Sequence, residues 1–177
     1  MSIAALIVAA GRGRRAGGGL PKQWRPLGGR RVIDWTLEAF ERAGIHRLAI
    51  VLSPQDTEAW ESFSDRPDLL LVAGGAERAI SVLNGLKALQ QQGIQKVLIH
   101  DAARPCTPPE LIRQVVEALD REPAAAPALA LSDALWTGSE GRVSGTKDRN
   151  GLYGAQTPQG FHLDKILAAH LQHPGNA

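Results

Sequence analysis

The sequence predicts an α/β fold with a doubly wound, mainly parallel sheet and a projecting β-arm. Three observations carry that prediction. Short apolar runs bounded by small residues recur along the 177-residue chain, each suited to a buried strand. Between them lie segments whose apolar residues fall at three- and four-residue steps, the spacing of an amphipathic helix. The connections are short, and strand–helix alternation of this kind builds a parallel sheet with helices on both faces.

The first apolar run, residues 3–8, reads as a buried strand. Residues 32–43 form an amphipathic helix stopped by Gly44, a natural C-cap. A second strand follows at 48–52, and Ser53-Pro54-Gln55-Asp56 starts a short helix with Trp60 and Phe63 on its packing face. The third strand, 69–73, runs into Gly74-Gly75. Residues 77–92 form a helix with Ile80, Leu83, Leu86 and Leu89 at regular steps and Gly93 as its stop. Residues 97–99 form the next strand, leading into His100-Asp101. Pro108-Pro109-Glu110 opens a helix through Leu119, since proline is tolerated in a first turn. Residues 126–131 are one more strand. From 133 to 154 helical spacing is lost, and Trp136 to Val143 reads as a hairpin around Glu140-Gly141, the tip of an arm on a single domain spanning 1–177.

Hydrophobic content of 44% and charged content of 21% are ordinary for a globular protein. A net charge of +2 gives no reason to expect nucleic-acid binding. The charge is unevenly placed, however. Residues 1–33 hold no Asp or Glu but seven Lys or Arg, which favours a small anionic ligand. The single cysteine, Cys106, rules out an internal disulfide and suits a reducing compartment; between Pro105 and Thr107 it is expected to be buried and inert. The first apolar run is too short to span a bilayer and lacks a basic leader, so a cytoplasmic protein without a membrane partner is expected. His162, His170 and His173 make no ligand pattern with a carboxylate pair.

After Val8 the chain enters Ala9-Ala10-Gly11-Arg12-Gly13-Arg14-Arg15, then three glycines, then Pro21-Lys22-Gln23. Glycines let main-chain N–H groups approach an anion, and the basic side chains add fixed positive charge. Three readings compete. One is a surface loop with solvated arginines. A second is a dinucleotide site, because residues 11–16 fit G-x-G-x-x-[GA]; that motif needs a helix inside the glycines and an acid ending a second strand, whereas Asp34 lies in helical spacing. The third is a nucleotidyltransferase loop wrapped around a nucleoside triphosphate. A P-loop does not fit, because Lys22 is followed by Gln23.

The opening Ala-Ala-Gly-Arg-Gly-Arg-Arg with Pro-Lys-Gln resembles the nucleotidyltransferases. Together with Gly74 to Val82, His100 to Pro105, Asp148 to Leu152 and Gln156 to Gln159, it resembles 2-C-methyl-D-erythritol 4-phosphate cytidylyltransferase. The blocks occur in the family's order across nearly the whole chain. The resemblance implies a Rossmann-like nucleotidyltransferase fold, CTP and methylerythritol phosphate as substrates, Mg2+ or another divalent cation, and a homodimer clasped through the arm. It implies Arg15 and Lys22 as catalytic cations. Ala9, Ala10, Gly11, Gly13, Gly75, Ala76 and Ser81 would bind nucleotide, with main-chain contacts at Ala76 where the family often has an acid. Asp101 would hold the metal, and Asp101, Arg104, Arg149 and Thr157 the substrate, with Arg149 acting in the neighbouring subunit. The loop over 10–22 is expected to order when nucleotide binds.

Two departures accompany the resemblance. The family carries Asp-Thr where Asp133-Ala134 stands here, so a threonine contact to the polyol is lost or replaced. Members also continue for about fifty residues past Ala177, a length in keeping with ordinary domain sizes. The C-terminal end of the domain, with a lysine and a Thr-Asp pair of the acceptor pocket, is therefore expected to be missing. The Asp133-Ala-Leu-Trp and Ala155-Gln-Thr-Pro-Gln-Gly-Phe wording is similar to the N-terminal half of bifunctional forms fused to a cyclodiphosphate synthase. The rival expectations are a related transferase for another sugar or polyol phosphate, and an inactive nucleotide-binding fragment.

Overall fold

The computed structural model describes residues 2–11 and 19–172. Strand β1 (Ile3–Val8) is followed by a 3-10 turn (Lys22–Trp24) and a small ribbon of β2 (Pro26–Leu27) and β3 (Arg30–Arg31). Then come α1 (Val32–Arg42), β4 (Leu48–Leu52), α2 (Thr57–Glu61), β5 (Leu69–Ala73), α3 (Arg78–Gln91), β6 (Lys96–Asp101) and α4 (Pro109–Ala118). The last part holds β7 (Ala124–Ala125), β8 (Ala128–Ala130), β9 (Leu135–Ser139), β10 (Arg142–Lys147), β11 (Tyr153–Ala155), β12 (Gln159–His162) and α5 (Leu163–Gln172).

Six strands form the central sheet in the order β5-β4-β1-β6-β12-β7. β5, β4, β1 and β6 are mutually parallel, and β12 runs antiparallel to β6. Alternation along β1 explains the two layers. Ala5 and Ile7 join one core with Ile33, Phe40 and Ile112, from α1 and α4. Ala4 and Leu6 join the other with Val82, Leu86 and Leu167, from α3 and α5. A strand buried on both faces has no polar side, hence its continuous apolar run. At Gly85 a Cβ would lie 2.3 Å from Leu6 Cδ1, so α3 sits directly against β1.

Winding outward from β1 to β5 and returning to β6 on the far side places a topological switch between β1 and β6. In open α/β sheets the ligand crevice lies at such a switch, beyond the carboxyl ends of the strands.

The predicted helices and strands before residue 119 are present with small changes at their ends. β6 begins at Lys96 and carries His100 and Asp101 within the strand rather than beyond it. Gly44, at φ +90°, closes α1 as expected. The strand predicted over 126–131 is corrected. Of those residues only Ala128–Ala130 form a strand, β8, which pairs with β11 in a separate ribbon; β7 lies before the predicted span and pairs with β12 in the main sheet, with Pro127, lacking an N–H, between the two. β12 and the β2–β3 ribbon were not anticipated, being too short for a periodic signal. The arm hairpin is β9–β10, turning at Glu140 (φ +51°) and Gly141 (φ +77°) as the primed hairpin turns require. Cys106 is exposed, on the turn before α4 where the flanking prolines hold the chain at the surface, so the expectation of burial fails. Among the described residues, no helix is long and apolar enough to cross a membrane.

Candidate active site

Register brings the predicted site together. Val8 pairs with Asp101 at the carboxyl ends of β1 and β6, and Ala102 N donates to Val8 O at 3.1 Å. The loop leaving β1 is held from the other side by Gln23. Its buried Nε2 donates to Ala9 O (2.8 Å) and Gly11 O (2.9 Å), docking the turn that begins at Lys22 onto the end of β1. Lys22, exposed, thus shares one edge of the sheet with Asp101. Thr36, on α1, donates to Ala102 O at 2.9 Å and fixes the turn after Asp101.

A cavity of about 780 Å³ opens at this edge, lined in part by Gly11, Gly75, Arg78, Ser81 and Asp101. Asp101 Oδ1 accepts from Arg78 Nη2 at 3.0 Å and Oδ2 from Arg104 Nε at 3.2 Å. All three side chains are a third or more exposed, so these pairs contribute little to stability and exchange readily for a ligand. On the far side of Arg104 lies a second pocket of about 410 Å³, walled by Arg104, Gln156 and Thr157 and by the apolar Pro105, Pro127 and Leu129. Arg104 Nη1 donates to Gln156 Oε1 at 2.8 Å. The Asp101–Arg104 pair therefore stands between the two cavities.

The nucleotide loop is braced from within. Ser81, 2% exposed, accepts from Gly75 N (3.0 Å) and donates to Glu77 O (3.0 Å). The Ser81 hydroxyl and the Gly75 amide, both expected to contact the nucleotide, bond to each other at the cavity wall. Gly74 has no room for a side chain, since a Cβ would lie 2.7 Å from Ala10 Cβ. Ala9 is likewise committed, its N–H donating to Val51 O at 2.9 Å. Ala10, Gly11 and Ala76 do face the cavity. Gly13 and Arg15 lie outside the described residues, as does most of the loop expected to order with nucleotide.

His100 is packed, as its position opposite Asp101 on the strand implies, and fully buried. Burial pushes its imidazole down to about 4. Thr157, also buried, is bonded to it at 2.9 Å. Arg149 is not gathered into either cavity; it is exposed on the arm and donates to Ser132 O. Arg78 and Gln23 were missed as site residues. Arg78 directly follows the Gly-Gly-Ala-Glu stretch, a signal that could have found it.

A family model for 2-C-methyl-D-erythritol 4-phosphate cytidylyltransferase matches residues 3–177. The chain is 61% identical over 177 residues to the bifunctional enzyme IspD/IspF of Ruegeria sp. (strain TM1040), covering all of this chain and 46% of that protein. It is 54% identical over 180 residues to the 2-C-methyl-D-erythritol 4-phosphate cytidylyltransferase of Cereibacter sphaeroides (strain ATCC 17023), covering 80% of it. The fold superposes on a crystal structure of 4-diphosphocytidyl-2C-methyl-D-erythritol synthase with a TM-score of 0.85 at 31% identity, over 99% of this chain and 81% of that one. The chain spans about half the length of the bifunctional relatives it matches.

Proposed function

The chain belongs to the 2-C-methyl-D-erythritol 4-phosphate cytidylyltransferase family, and from that premise we propose that it transfers CMP from CTP to methylerythritol phosphate. One observation carries the reading: Asp101 pairs in register with Val8, so the acid and the Ala10–Gly11 main chain, where the loop leaves β1, flank one cavity. An oxygen of the acceptor's phosphate attacks the α-phosphorus of CTP. The bond to that oxygen forms as the α–β bridging bond breaks, and the electron pair leaves with pyrophosphate. The nucleophile is already an anion, so no strong base is needed. The work is alignment of two polyanions and compensation of charge on the bridging oxygen.

In this reading Lys22 and Arg15 supply cations to the triphosphate, the Ala10–Gly11 and Ala76 main chain holds the nucleotide, and Arg104 grips the acceptor's phosphate. Ser81 and Gly75 act by shaping the loop. The residues present fit Mg2+ bound through one protein carboxylate, Asp101, with phosphate oxygens and water completing the shell. Among the described residues no three His, Cys, Asp or Glu side chains converge to hold a metal by themselves. When bound, the cation neutralises phosphate charge. Arg78 and Arg104, which hold the same carboxylate, would bind phosphate oxygens beside it.

The protein works in the cytoplasm as a homodimer. The arm and its base leave Leu129, Trp136, Val143 and Tyr153 at least 60% exposed, a surface suited to a second copy, and Arg149 then reaches the neighbouring site. Pyrophosphate release from CTP plus methylerythritol phosphate tests the assignment. Lys22→Ala is expected to lower turnover by roughly 10²–10³. Full turnover in that variant would end the catalytic assignment.

A further inference from the structure

We propose that His100 sets the hydrogen-bond polarity of Thr157, so that Thr157 Oγ1 meets its ligand as an acceptor and binds a hydroxyl of a polyol phosphate, never the phosphate. The geometry leaves one arrangement of protons. His100 Nε2 lies 3.1 Å from the carbonyl oxygen of Arg104, which can only accept, so Nε2 carries a proton. The ring is fully buried and edge-on to Phe40 at 5.0 Å, and its nitrogens meet a carbonyl and a hydroxyl rather than a carboxylate; a buried ring without a counter-charge is held neutral. A neutral ring protonated at Nε2 has a bare Nδ1. That atom lies 2.9 Å from Thr157 Oγ1, so the threonine hydroxyl donates to it.

Thr157 has one hydroxyl proton, and His100 takes it. Thr157 lines the 410 Å³ pocket, and all its oxygen still has to offer a ligand is lone-pair density. A phosphate oxygen placed there meets two acceptors face to face, whereas a ligand hydroxyl can donate. The anionic end of the ligand is left to Arg104, whose guanidinium is held by Asp101 and Gln156 in the same wall. The apolar part of the lining, Pro105, Pro127 and Leu129, takes a carbon face. His100 is thus a positioning residue: it touches no substrate, yet it decides what Thr157 can bind, and its other nitrogen holds the backbone of Arg104.

The identity of the ligand rests on the cytidylyltransferase reading; the proton arrangement does not. Nitrogen NMR of the full chain labelled at histidine is expected to show His100 protonated at Nε2 and bare at Nδ1. The opposite tautomer overturns the proposal. In the second arm, the wild type receives CTP and acceptors in which each hydroxyl is replaced in turn by hydrogen or by fluorine, which accepts but cannot donate. At one position both replacements should lower kcat/KM alike, by about tenfold, with no further loss in Thr157→Val. A fluorinated acceptor that keeps the parent's rate where the deoxy one loses it overturns the proposal, as does an absence of response at every position. If the transferase reading itself fails, no analogue reacts, and the histidine nitrogens still decide whether Thr157 can donate.

Discussion

β1 and β6 pair through six residues, from Ile3 with Lys96 to Val8 with Asp101, while β9 and β10 pair over a comparable length in the arm. The first ladder is parallel and the second antiparallel, but the larger difference lies in what covers them. Ala4, Ala5, Leu6 and Ile7 are fully buried between two helix layers, whereas Trp136 and Val143 are 69% and 60% exposed. Hydrogen bonds exchanged with water contribute little net stability, and an isolated two-stranded hairpin is marginal, so burial decides which ladder is rigid. The proposed chemistry stands at the end of the closed ladder. The open one carries Arg149 and an apolar surface that another copy of the chain would cover.

If that contrast is right, truncations should separate the two regions sharply. Leu6→Ala empties space between β1 and α3 and should lower unfolding free energy by about 2–5 kcal/mol in denaturant titrations; a loss near that of a surface site would mean the closed region is loosely packed. His100 extends the test to pH. Its folded value, about 4, lies below the ordinary 6.5, so the unfolded chain takes the proton first as pH falls. Its contribution is whole above about pH 6.5 and is lost as pH drops toward 4, on the order of 3 kcal/mol for the metal-free protein. The denaturation midpoint should fall across that window in wild type and be flatter in His100→Asn.

Smaller effects probe the site's own seams. Ser81→Ala strands the Gly75 amide and should cost about 1–3 kcal/mol, read as a lowered thermal midpoint together with weaker nucleotide binding by calorimetry. Asp101→Asn removes exposed pairs and should shift stability by under about 1 kcal/mol while strongly reducing pyrophosphate release. Trp136→Ala should change the stability of the dissociated chain by no more than about 0.5 kcal/mol. Its effect should appear in sedimentation as weakened self-association, and a large stability loss in dilute protein would show that the arm packs on its own chain.

How far the sequence could be read varied with the range of the interaction. Residues 3–8, 48–52 and 69–73 were readable because a strand buried on both faces is apolar without interruption, and the helices because their periodicity repeats over several turns. The arm hairpin was readable from Glu140-Gly141, a local turn signal. β12 was not: Gln159-Gly160-Phe161-His162 has no period, and its glycine is explained by what lies over it, since a Cβ there would fall 2.7 Å from Val115 Cγ1. At the site, Asp101, Lys22 and the Gly74–Gly75 turn were named from motif and position. Their working partners were not, because Gln23 with Ala9, Arg78 with Asp101 and His100 with Thr157 join residues 14, 23 and 57 positions apart.

From amino-acid order alone came the parts: which segments are strands and helices, that they alternate into a parallel sheet, and which residue types could hold phosphate. These follow from apolar spacing and turn chemistry, which act over a few residues. Which amide is already taken, which carboxylate faces which guanidinium, and which nitrogen of His100 is bare depended on the folded chain. Those are matters of strand register and of distances of a few ångströms between remote segments, and a local pattern carries no information about either.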